Sequence, residues 1–319
     1  MADFLAYSPE DVIDANLRET AERMNVTLEQ EMAHLRELAA EIVTENGLTP
    51  DFLAALPDHR PPRFDSRASL LPQNADMAER FGAAYGVWKS VLLCSELHTL
   101  LSAQKALSPD DFFMEAEELS DTAQGRIIYQ RNSYADSAYL QFAPILSHPR
   151  AVYTHSFETV CEEVYNGSCE YCILPLENTT EGPLTSFTRL IDRYALKIAA
   201  TCDVPTTDGT RITRFALLRR GLTPTIRIKS SLRYFECALP LDMSPSAADL
   251  LCAAQHCGLK LCRLDLRSHQ TENGLRPTTH FVFEAEDEHL TVFLLYLAME
   301  APHFDPVGLY SQLSDQTKP

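Results

Sequence analysis

The residues best suited to chemistry in this sequence lie in two short polar strings, each joined to an apolar run. The first string, 173–182, ends a β-prone segment and contains Glu177, Asn178, Thr179 and Thr180. The second, Thr213-Arg214-Phe215, follows thirty-one residues after Gly182. The first pattern predicts a buried strand over 171–176 that delivers a polar turn. Ligands usually bind at the carboxyl ends of strands in open α/β sheets, so this turn is a candidate binding site.

Two side chains of the second string, those of Thr213 and Arg214, have a clear chemical use. The hydroxyl of Thr213 can act as a hydrogen-bond donor or weak acid toward a departing oxygen. Arg214 either pairs with a substrate carboxylate or makes a surface ion pair, and the sequence leaves both open. We expect the polar turn and Thr213 to face each other as one half of a pocket.

Charge and composition restrict the partners. The 319 residues carry a net charge of −18, which repels nucleic acid and anionic lipid, and the hydrophobic fraction of 45% is that of a globular protein. No signal-like N-terminus or membrane-length apolar run is present. The nine cysteines therefore indicate reduced thiols and a cytoplasmic location.

Metal and cofactor signatures are missing from the sequence. The pair Cys169 and Cys172 has no second pair at metal-ligand spacing, so we interpret both as structural thiols. The histidines form no metal motif, and no glycine-rich nucleotide loop occurs. We expect neither a metal nor a cofactor.

The first 105 residues have helical periodicity. A capping pattern at Thr27 precedes a first helix that ends near Gly47. A second run covers about 66–84 with an interruption at Pro72, and a third begins near Tyr85. The acidic segment 106–125, which includes Asp110 and Asp111, is predicted to be a solvated linker.

The middle of the chain, 126–222, alternates short β-prone runs with helical ones. Strands are predicted over 126–129, 151–153, 171–176, 196–204 and 212–218, with helices over 157–165 and 184–194. This alternation predicts an α/β domain with a largely parallel sheet.

The last part, 226–319, follows a boundary near Gly221–Pro224 and has another order. A strand over 232–239 precedes a helix over 244–257, two strands over 259–266 and 280–284, and a helix over 287–299. A β-α-β-β-α order predicts a ferredoxin-like α+β module.

These motifs and their order resemble the bifunctional chorismate mutase–prephenate dehydratase family, which ends in an ACT domain. The 173–182 string is similar to the family's P-[IL]-E-N-[ST]-x-E-G signature, and Thr213-Arg214-Phe215 to its T-R-F signature. The resemblance implies conversion of prephenate to phenylpyruvate. It makes Thr213 the catalytic hydroxyl and places Asn178 at the substrate site. Glu177, Thr179, Thr180 and Arg214 are our further candidates for substrate binding.

The resemblance is incomplete in the middle domain. The family has a second lobe before its T-R-F string, whereas here only eight residues, 205–212, separate Val204 from Thr213. Even a small domain needs tens of residues to bury a core, so the second lobe is predicted to be absent. The family's Y-Q-G-x-x-G turn is replaced by Tyr129-Gln130-Arg131-Asn132-Ser133-Tyr134.

The flanking parts resemble the family more weakly. Arg67 matches an arginine of the chorismate mutase bundle, although the following family glutamate is Ala68. The ACT resemblance implies homodimerisation and a phenylalanine site. It places three regulatory positions in this chain: Ser246, Asp265 and Arg267.

Two functions from different classes follow. One is a prephenate dehydratase of phenylalanine biosynthesis, with residual chorismate mutase activity, whose partners are prephenate, chorismate and phenylalanine. The other is a non-catalytic relative that senses an aromatic metabolite or binds a partner enzyme. The two intact strings favour the enzyme, and the absent lobe favours the non-catalytic relative.

Overall fold

The computed structural model describes residues 28–45, 52–60, 75–104, 107–113, 123–222, 232–241, 245–271 and 274–313. The chain divides into two compact units, Met1–Ala106 and Leu107–Pro319. Arg67 and the predicted helical run 66–74 lie outside the described residues.

The first unit is helical, as predicted. Helix α1 covers 28–45, α2 covers Phe52–Ala55 before a 3₁₀ turn over Leu56–His59, and α3 covers Ala75–Gln104. Ion pairs of Arg36 with Glu96, at 3.2 Å, and of Lys89 with Glu31 join α1 to α3. The predicted break near Tyr85 is wrong, because α3 continues through Gly86. Glycine lowers helix stability by only about 1 kcal/mol, which packing can offset.

The second unit contains one mixed sheet flanked by helices. Within the described residues its elements, in chain order, are β1 Arg126–Gln130, α4 Ser133–Phe142, β2 Arg150–Thr154, α5 Phe157–Tyr165, β3 Tyr171–Asn178, β4 Gly182–Pro183, α6 Thr185–Arg193, β5 Lys197–Pro205, β6 Ile212–Arg219, β7 Leu232–Pro240, α7 Ala247–His256, β8 Lys260–Thr271, β9 Gly274–Glu286, α8 Asp287–Glu300 and β10 Asp305–Leu313. The strand order is β2-β1-β3-β6-β5-β10-β7-β9-β8, and β4 pairs with β3.

The prediction of a largely parallel sheet is wrong. Only the pairs β1–β2, β1–β3 and β5–β10 are parallel, and the other described pairs are antiparallel. The physical reason is the short connection between β5 and β6. Parallel neighbours need a crossover of a dozen or more residues, whereas a few residues can close an antiparallel hairpin.

The C-terminal elements have the predicted β-α-β-β-α order and one further strand, β10. Their strands lie in the order β10-β7-β9-β8, which is the fourth, first, third and second strand of this module. A β-α-β-β-α-β order is that of ferredoxin-like modules. Strand β10 also pairs with β5, so the module shares one sheet with the middle of the chain.

The sheet must be strongly curved. Strands β3 and β8 are six steps apart, or about 29 Å across a flat sheet at about 4.8 Å per step. Yet Arg263 of β8 approaches Glu177 of β3 to 3.4 Å. We call the concave side, which carries these two residues, the inner face. Helices α5 and α6 pack on this side, and α4 packs on the opposite, outer face.

Several features of this unit differ from the predictions. Helix α4 and strand β10 were not predicted, although Asn132 caps α4 by accepting hydrogen bonds from two backbone N–H groups. The predicted linker contains a 3₁₀ helix, Pro109–Phe113. Asp110 is no solvated surface residue, because it pairs with Arg233 at 2.6 Å, and the Asp111 carboxylate accepts hydrogen bonds from Ser108.

Candidate functional site

The first polar string is part of a strand. Strand β3 was predicted to end at Leu176 but continues to Asn178, and its register against β6 shifts between Pro175 and Glu177. Proline cannot donate a ladder hydrogen bond, so in a sheet it is confined to edges and bulges. The bulge leaves Leu176 and Glu177 both on the inner face and directs Asn178 to the outer face.

The two strings are cross-strand neighbours. Asn178 lies opposite Thr213, and Glu177 lies opposite Arg214. Because successive strand residues point to opposite faces, the four residues form two pairs on two faces. Asn178 and Thr213 share the outer face with Phe215, whereas Glu177 and Arg214 share the inner face. The structure therefore places these four predicted site residues next to each other on β3 and β6, but it divides them between the two faces of the sheet.

On the outer face, the side chain of Asn178 organises the turn. Its Oδ1 accepts hydrogen bonds from the N–H groups of Thr180, at 2.9 Å, and Glu181, at 2.7 Å. Thr179 ties the turn to β6, because its hydroxyl accepts from the N–H of Ile212 at 3.2 Å. Gly182 has a φ of +71°, a conformation that a residue with a Cβ adopts at a cost.

The hydroxyl of Thr213 is a free polar group at this edge. It is half-buried and has no hydrogen-bond partner among the described residues. The carboxyl ends of β1 and β3 meet at the same edge because these strands are parallel neighbours. Arg131 follows β1 there, with its guanidinium 5.0 Å from the centre of the Tyr153 ring. A hydroxyl, an amide and a cation are thus available at one edge of the sheet.

The segment that replaces the second lobe is a β-hairpin. Pro205 pairs with Ile212, and Asp208 accepts hydrogen bonds from the hydroxyls of Thr206 and Thr210. These bonds lower the pKa of Asp208 to about 2. The short turn of this hairpin joins β5 directly to β6.

On the inner face, Arg214 forms an internal ion pair network. Its Nε donates to Asp203 Oδ1 at 2.8 Å, its Nη2 donates to Asp203 Oδ2 at 3.1 Å, and its Nη1 donates to Glu177 at 2.8 Å. The bonds to Asp203 are the main cause that raises the pKa of Arg214. Of the two sequence interpretations, the ion pair matches these contacts, although its side chains are only partly exposed, and a substrate contact of Arg214 stays a prediction.

The network continues through two arginines of β8. Arg263 lies 3.4 Å from Glu177, 3.0 Å from Asp265 and 3.6 Å from Glu236. Arg267 lies 3.3 Å from Asp265 and 3.4 Å from Glu236, and it also faces Asp192 of α6 at 3.7 Å. Burial raises the pKa of Glu236 above its usual value, although both arginines act in the opposite direction.

A small cavity of about 170 Å³ opens onto the inner face between these charges. Glu177, Arg214, Arg263, Tyr234 and Tyr310 are among its lining residues. Burial is the main cause that raises the pKa of both tyrosines, that of Tyr234 to about 12. Their hydroxyls are therefore protonated at neutral pH.

The three predicted regulatory positions do not form one contact set. Asp265 and Arg267 belong to the network, whereas Ser246 caps α7 in a reciprocal capping box with Asp249. The sequence interpretation also missed Arg263, Asp203 and Glu236. Two signals were available: a lone acid inside the apolar 235–239 run, and strict alternation of charged residues with leucine over 263–267.

Other candidates lie apart from these two faces. Cys169 and Cys172 are buried, and burial raises the pKa of both thiols. Within the described residues, no three His, Cys, Asp or Glu side chains are arranged to hold a metal ion. None of the described helices has the length and apolarity that crossing a bilayer requires.

Comparison with known proteins supports a family for the middle of the chain. The family model for prephenate dehydratase matches residues 129–220, which include both polar strings. The prediction of a prephenate dehydratase domain, from an enzyme family of phenylalanine biosynthesis, is confirmed for this segment. A search of curated proteins gives no match.

Solved structures give only distant similarities. A prephenate dehydratase from Streptococcus mutans is 21% identical at a TM-score of 0.47, covering 59% of this chain and 99% of its own. GqqA, described as a quorum-quenching acylase, is 18% identical at a TM-score of 0.43, and the match covers 61% of this chain and 98% of GqqA. The prephenate dehydratase from Arthrobacter aurescens, solved in complex with L-Phe, is 14% identical at a TM-score of 0.43. This match covers 61% of this chain and 92% of the dehydratase. At these values the three similarities carry no weight on activity.

Proposed function

We propose that this protein acts on prephenate, as a prephenate dehydratase of phenylalanine biosynthesis, at the outer-face edge of β3 and β6. The observation that supports this most is the pairing of Asn178 with Thr213 in register, together with the unengaged Thr213 hydroxyl. The family match over 129–220 contains both residues.

The chemistry requires little from the protein beyond positioning and one proton donor. Prephenate loses its ring carboxylate as carbon dioxide while the ring hydroxyl departs, and the electron pair of the broken C–C bond completes the aromatic ring. Thr213 donates a hydrogen bond to the departing oxygen, which leaves as water once it is protonated. The Asn178 amide N–H₂ remains available to the substrate, because its Oδ1 serves the turn.

The binding of the substrate carboxylates needs cations. Arg214 is engaged by Asp203 and Glu177 on the inner face, so we assign it a structural role. Arg131 lies at the outer-face edge, where the ion pair that it makes with Asp136 is long, at 3.9 Å. We assign one carboxylate to Arg131.

The second candidate is a non-catalytic protein that binds an aromatic metabolite or a partner enzyme. The 205–212 hairpin favours it, because one exposed edge orients a substrate less well than a closed cleft. In that case prephenate binds without turnover.

Formation of phenylpyruvate from prephenate by the full chain separates the two candidates. Dehydratase activity predicts a rate above the spontaneous one. It also predicts a loss of about 100-fold in Thr213→Val, which keeps the shape but removes the hydroxyl. Thr213→Ser is the matched control and should retain most of the rate. A wild-type rate equal to the background would exclude the enzyme, and binding of prephenate measured by calorimetry would then support the second candidate.

The C-terminal module is proposed to be an ACT-like dimerisation module. Its strand order supports this assignment, and its outermost strand, β8, exposes Leu261, Leu264 and Leu266. An exposed apolar edge strand is a template for pairing with a second copy. Sedimentation should show a dimer that Leu266→Lys dissociates, while Leu140→Lys, at an exposed leucine of α4, leaves it intact.

The chorismate mutase resemblance of the helical unit remains a prediction. Arg67 is outside the described residues, and the charge of the buried Lys89 is already balanced by Glu31. Mutase activity would require further free cations for a dianionic substrate. Disappearance of chorismate in the presence of the full chain tests this role.

A cytoplasmic location is also proposed, since all nine cysteines are free thiols.

A further inference from the structure

One cysteine of this chain is exposed, and it lies at the small inner-face cavity. Of the nine cysteines, Cys262 of β8 is exposed and Cys252 of α7 is half-buried, whereas the other seven are buried. Cys262 lines the cavity of about 170 Å³ together with Arg214 and Arg263. Its thiol is therefore the one best placed to meet a reagent from solution.

Two buried hydroxyl groups line the same cavity. Thr201 is 1% exposed and Tyr310 is 7% exposed. Neither hydroxyl has a hydrogen-bond partner among the described residues. Buried polar groups normally make such bonds, because leaving them unpaired is costly. Both hydroxyls are therefore donors that a ligand in the cavity can use.

The size of the cavity limits what it can hold. Sites for whole small molecules usually measure about 300 Å³ or more. A space of about 170 Å³ accepts one short arm of a ligand that is anchored beside it. The exposed thiol of Cys262 can supply that anchor through a covalent bond.

The lining of the cavity suits an arm that ends in a carboxylate. Two guanidinium groups, on Arg214 and Arg263, line it with one carboxylate, that of Glu177. Asp203, which also pairs with Arg214, does not line the cavity. Arg263 donates to Glu177 at a long 3.4 Å, so an incoming carboxylate can share this donor. The two buried hydroxyls add donors for the same oxyanion.

We propose that Cys262 is a site of reversible S-thiolation by a small disulfide that carries a carboxylate, and that the carboxylate arm enters the small cavity. The Cys262 thiolate attacks one sulfur of the disulfide, and a new S–S bond forms as the old one breaks. The other half leaves as a thiolate and takes up the proton that Cys262 lost. Cys262 is thereby oxidised, and the departing sulfur is reduced.

The selectivity of this reaction comes from the surroundings of the thiol. Burial is the main cause that raises the pKa of Cys262, so little thiolate is present at neutral pH. Cys262 differs from the other cysteines in its exposure, and its preference among disulfides comes from the cavity. The thiol faces this cavity, whereas the proposed pairing with a second copy uses the backbone edge of β8.

Three disulfides of similar size test the proposal on the full chain. Dithiodipropionate carries carboxylates, hydroxyethyl disulfide is neutral, and cystamine carries ammonium groups. Each rate of adduct formation, followed by mass spectrometry, is divided by the rate of the same disulfide with N-acetylcysteine amide. This division removes the differences between leaving groups.

We expect the corrected rate at Cys262 to be about tenfold higher for dithiodipropionate than for hydroxyethyl disulfide, the effect of one charge-assisted hydrogen bond. The net charge of −18 by itself favours cystamine. A corrected rate that is highest for cystamine, or an adduct mainly at another cysteine, would overturn the proposal. Cys262→Ser should abolish the adduct, and Cys252→Ser is the matched control that should keep it.

A second pair of variants tests the role of the cavity. Thr201→Val should remove most of the preference for dithiodipropionate and leave the rate with hydroxyethyl disulfide unchanged. Thr188→Val is its control, because the Thr188 hydroxyl donates to the carbonyl of Thr185 in α6. If Thr201→Val fails to fold, Tyr310→Phe takes its place. An unchanged preference in the folded variant would overturn the proposal, whatever the protein does with prephenate.

Discussion

The two faces of β3 and β6 use neighbouring residues of the same strings for opposite purposes. On the outer face, the Thr213 hydroxyl has no partner among the described residues and the turn of Asn178 is held at an exposed edge. On the inner face, Glu177 and Arg214 are fully engaged in a network that reaches across the curved sheet to β8. The two strings therefore contain both a hydroxyl without a partner among the described residues and residues that are held in ion pairs. The alternation of side chains along a strand decides on which face each of these residues lies.

The consequence is a separation of activity from stability. Changes on the inner face should destabilise the second unit. Changes on the outer face should alter chemistry or the local turn and leave the sheet intact.

The largest effect on stability is expected from Arg263→Met. This change removes the cation that faces Glu177, Asp265 and the buried Glu236, and it leaves only Arg214 and Arg267 to balance their charges. Breaking a buried ion pair by removing one partner costs about 3 kcal/mol. Denaturant unfolding of the second unit should show this loss. Arg193→Met, which removes an exposed pair with Glu158, is the control and should change little. Equal effects of the two changes would mean that the inner-face network is not structural.

A smaller effect is expected from Asn178→Ala. The change removes the acceptor of two backbone hydrogen bonds, and the free energy of unfolding should fall by about 1 kcal/mol. Asn178→Asp keeps the acceptor and should retain most of that stability. If Asp is as destabilising as Ala, the turn does not depend on this oxygen.

The smallest effect is the acid response of the 205–212 hairpin. Asp208 has a pKa of about 2, below its ordinary value of 3.8, so its contribution to stability is present above pH 3.8 and is lost as pH falls toward 2. Thr206→Val and Thr210→Val together should raise this pKa, because they remove the hydroxyl donors. NMR titration of the Asp208 carboxyl measures its pKa in the wild type and in the double variant. An unchanged pKa in the double variant would contradict the hairpin geometry.

Local patterns predicted much of the fold. The helix Phe157–Tyr165 was located to the residue, and most strands of the second unit were located to within a few residues at each end. Apolar runs and stop signals are local, so they can be recognised in a single sequence. Strand β10 was missed because its central residues, Val307-Gly308-Leu309, include a glycine that lowers the strand signal.

Strand pairing and curvature could not be predicted in the same way. Whether β5 and β6 are parallel depends on the connection between them, and the contact of Arg263 with Glu177 depends on the curvature of the whole sheet. The family strings located the candidate site at Asn178 and Thr213. The reversal of faces caused by the bulge at Pro175 was not visible in the strings themselves.

The most direct test of the two-face account measures stability and prephenate turnover on the same two adjacent variants. Thr213→Val should lower the rate of phenylpyruvate formation about 100-fold with an unchanged free energy of unfolding. Arg214→Met should lower the free energy of unfolding by about 1 kcal/mol or more, since it loses charge-assisted bonds to Asp203 and Glu177, and should retain turnover while folded. The opposite result, a destabilised Thr213→Val and a stable but inactive Arg214→Met, would contradict the account.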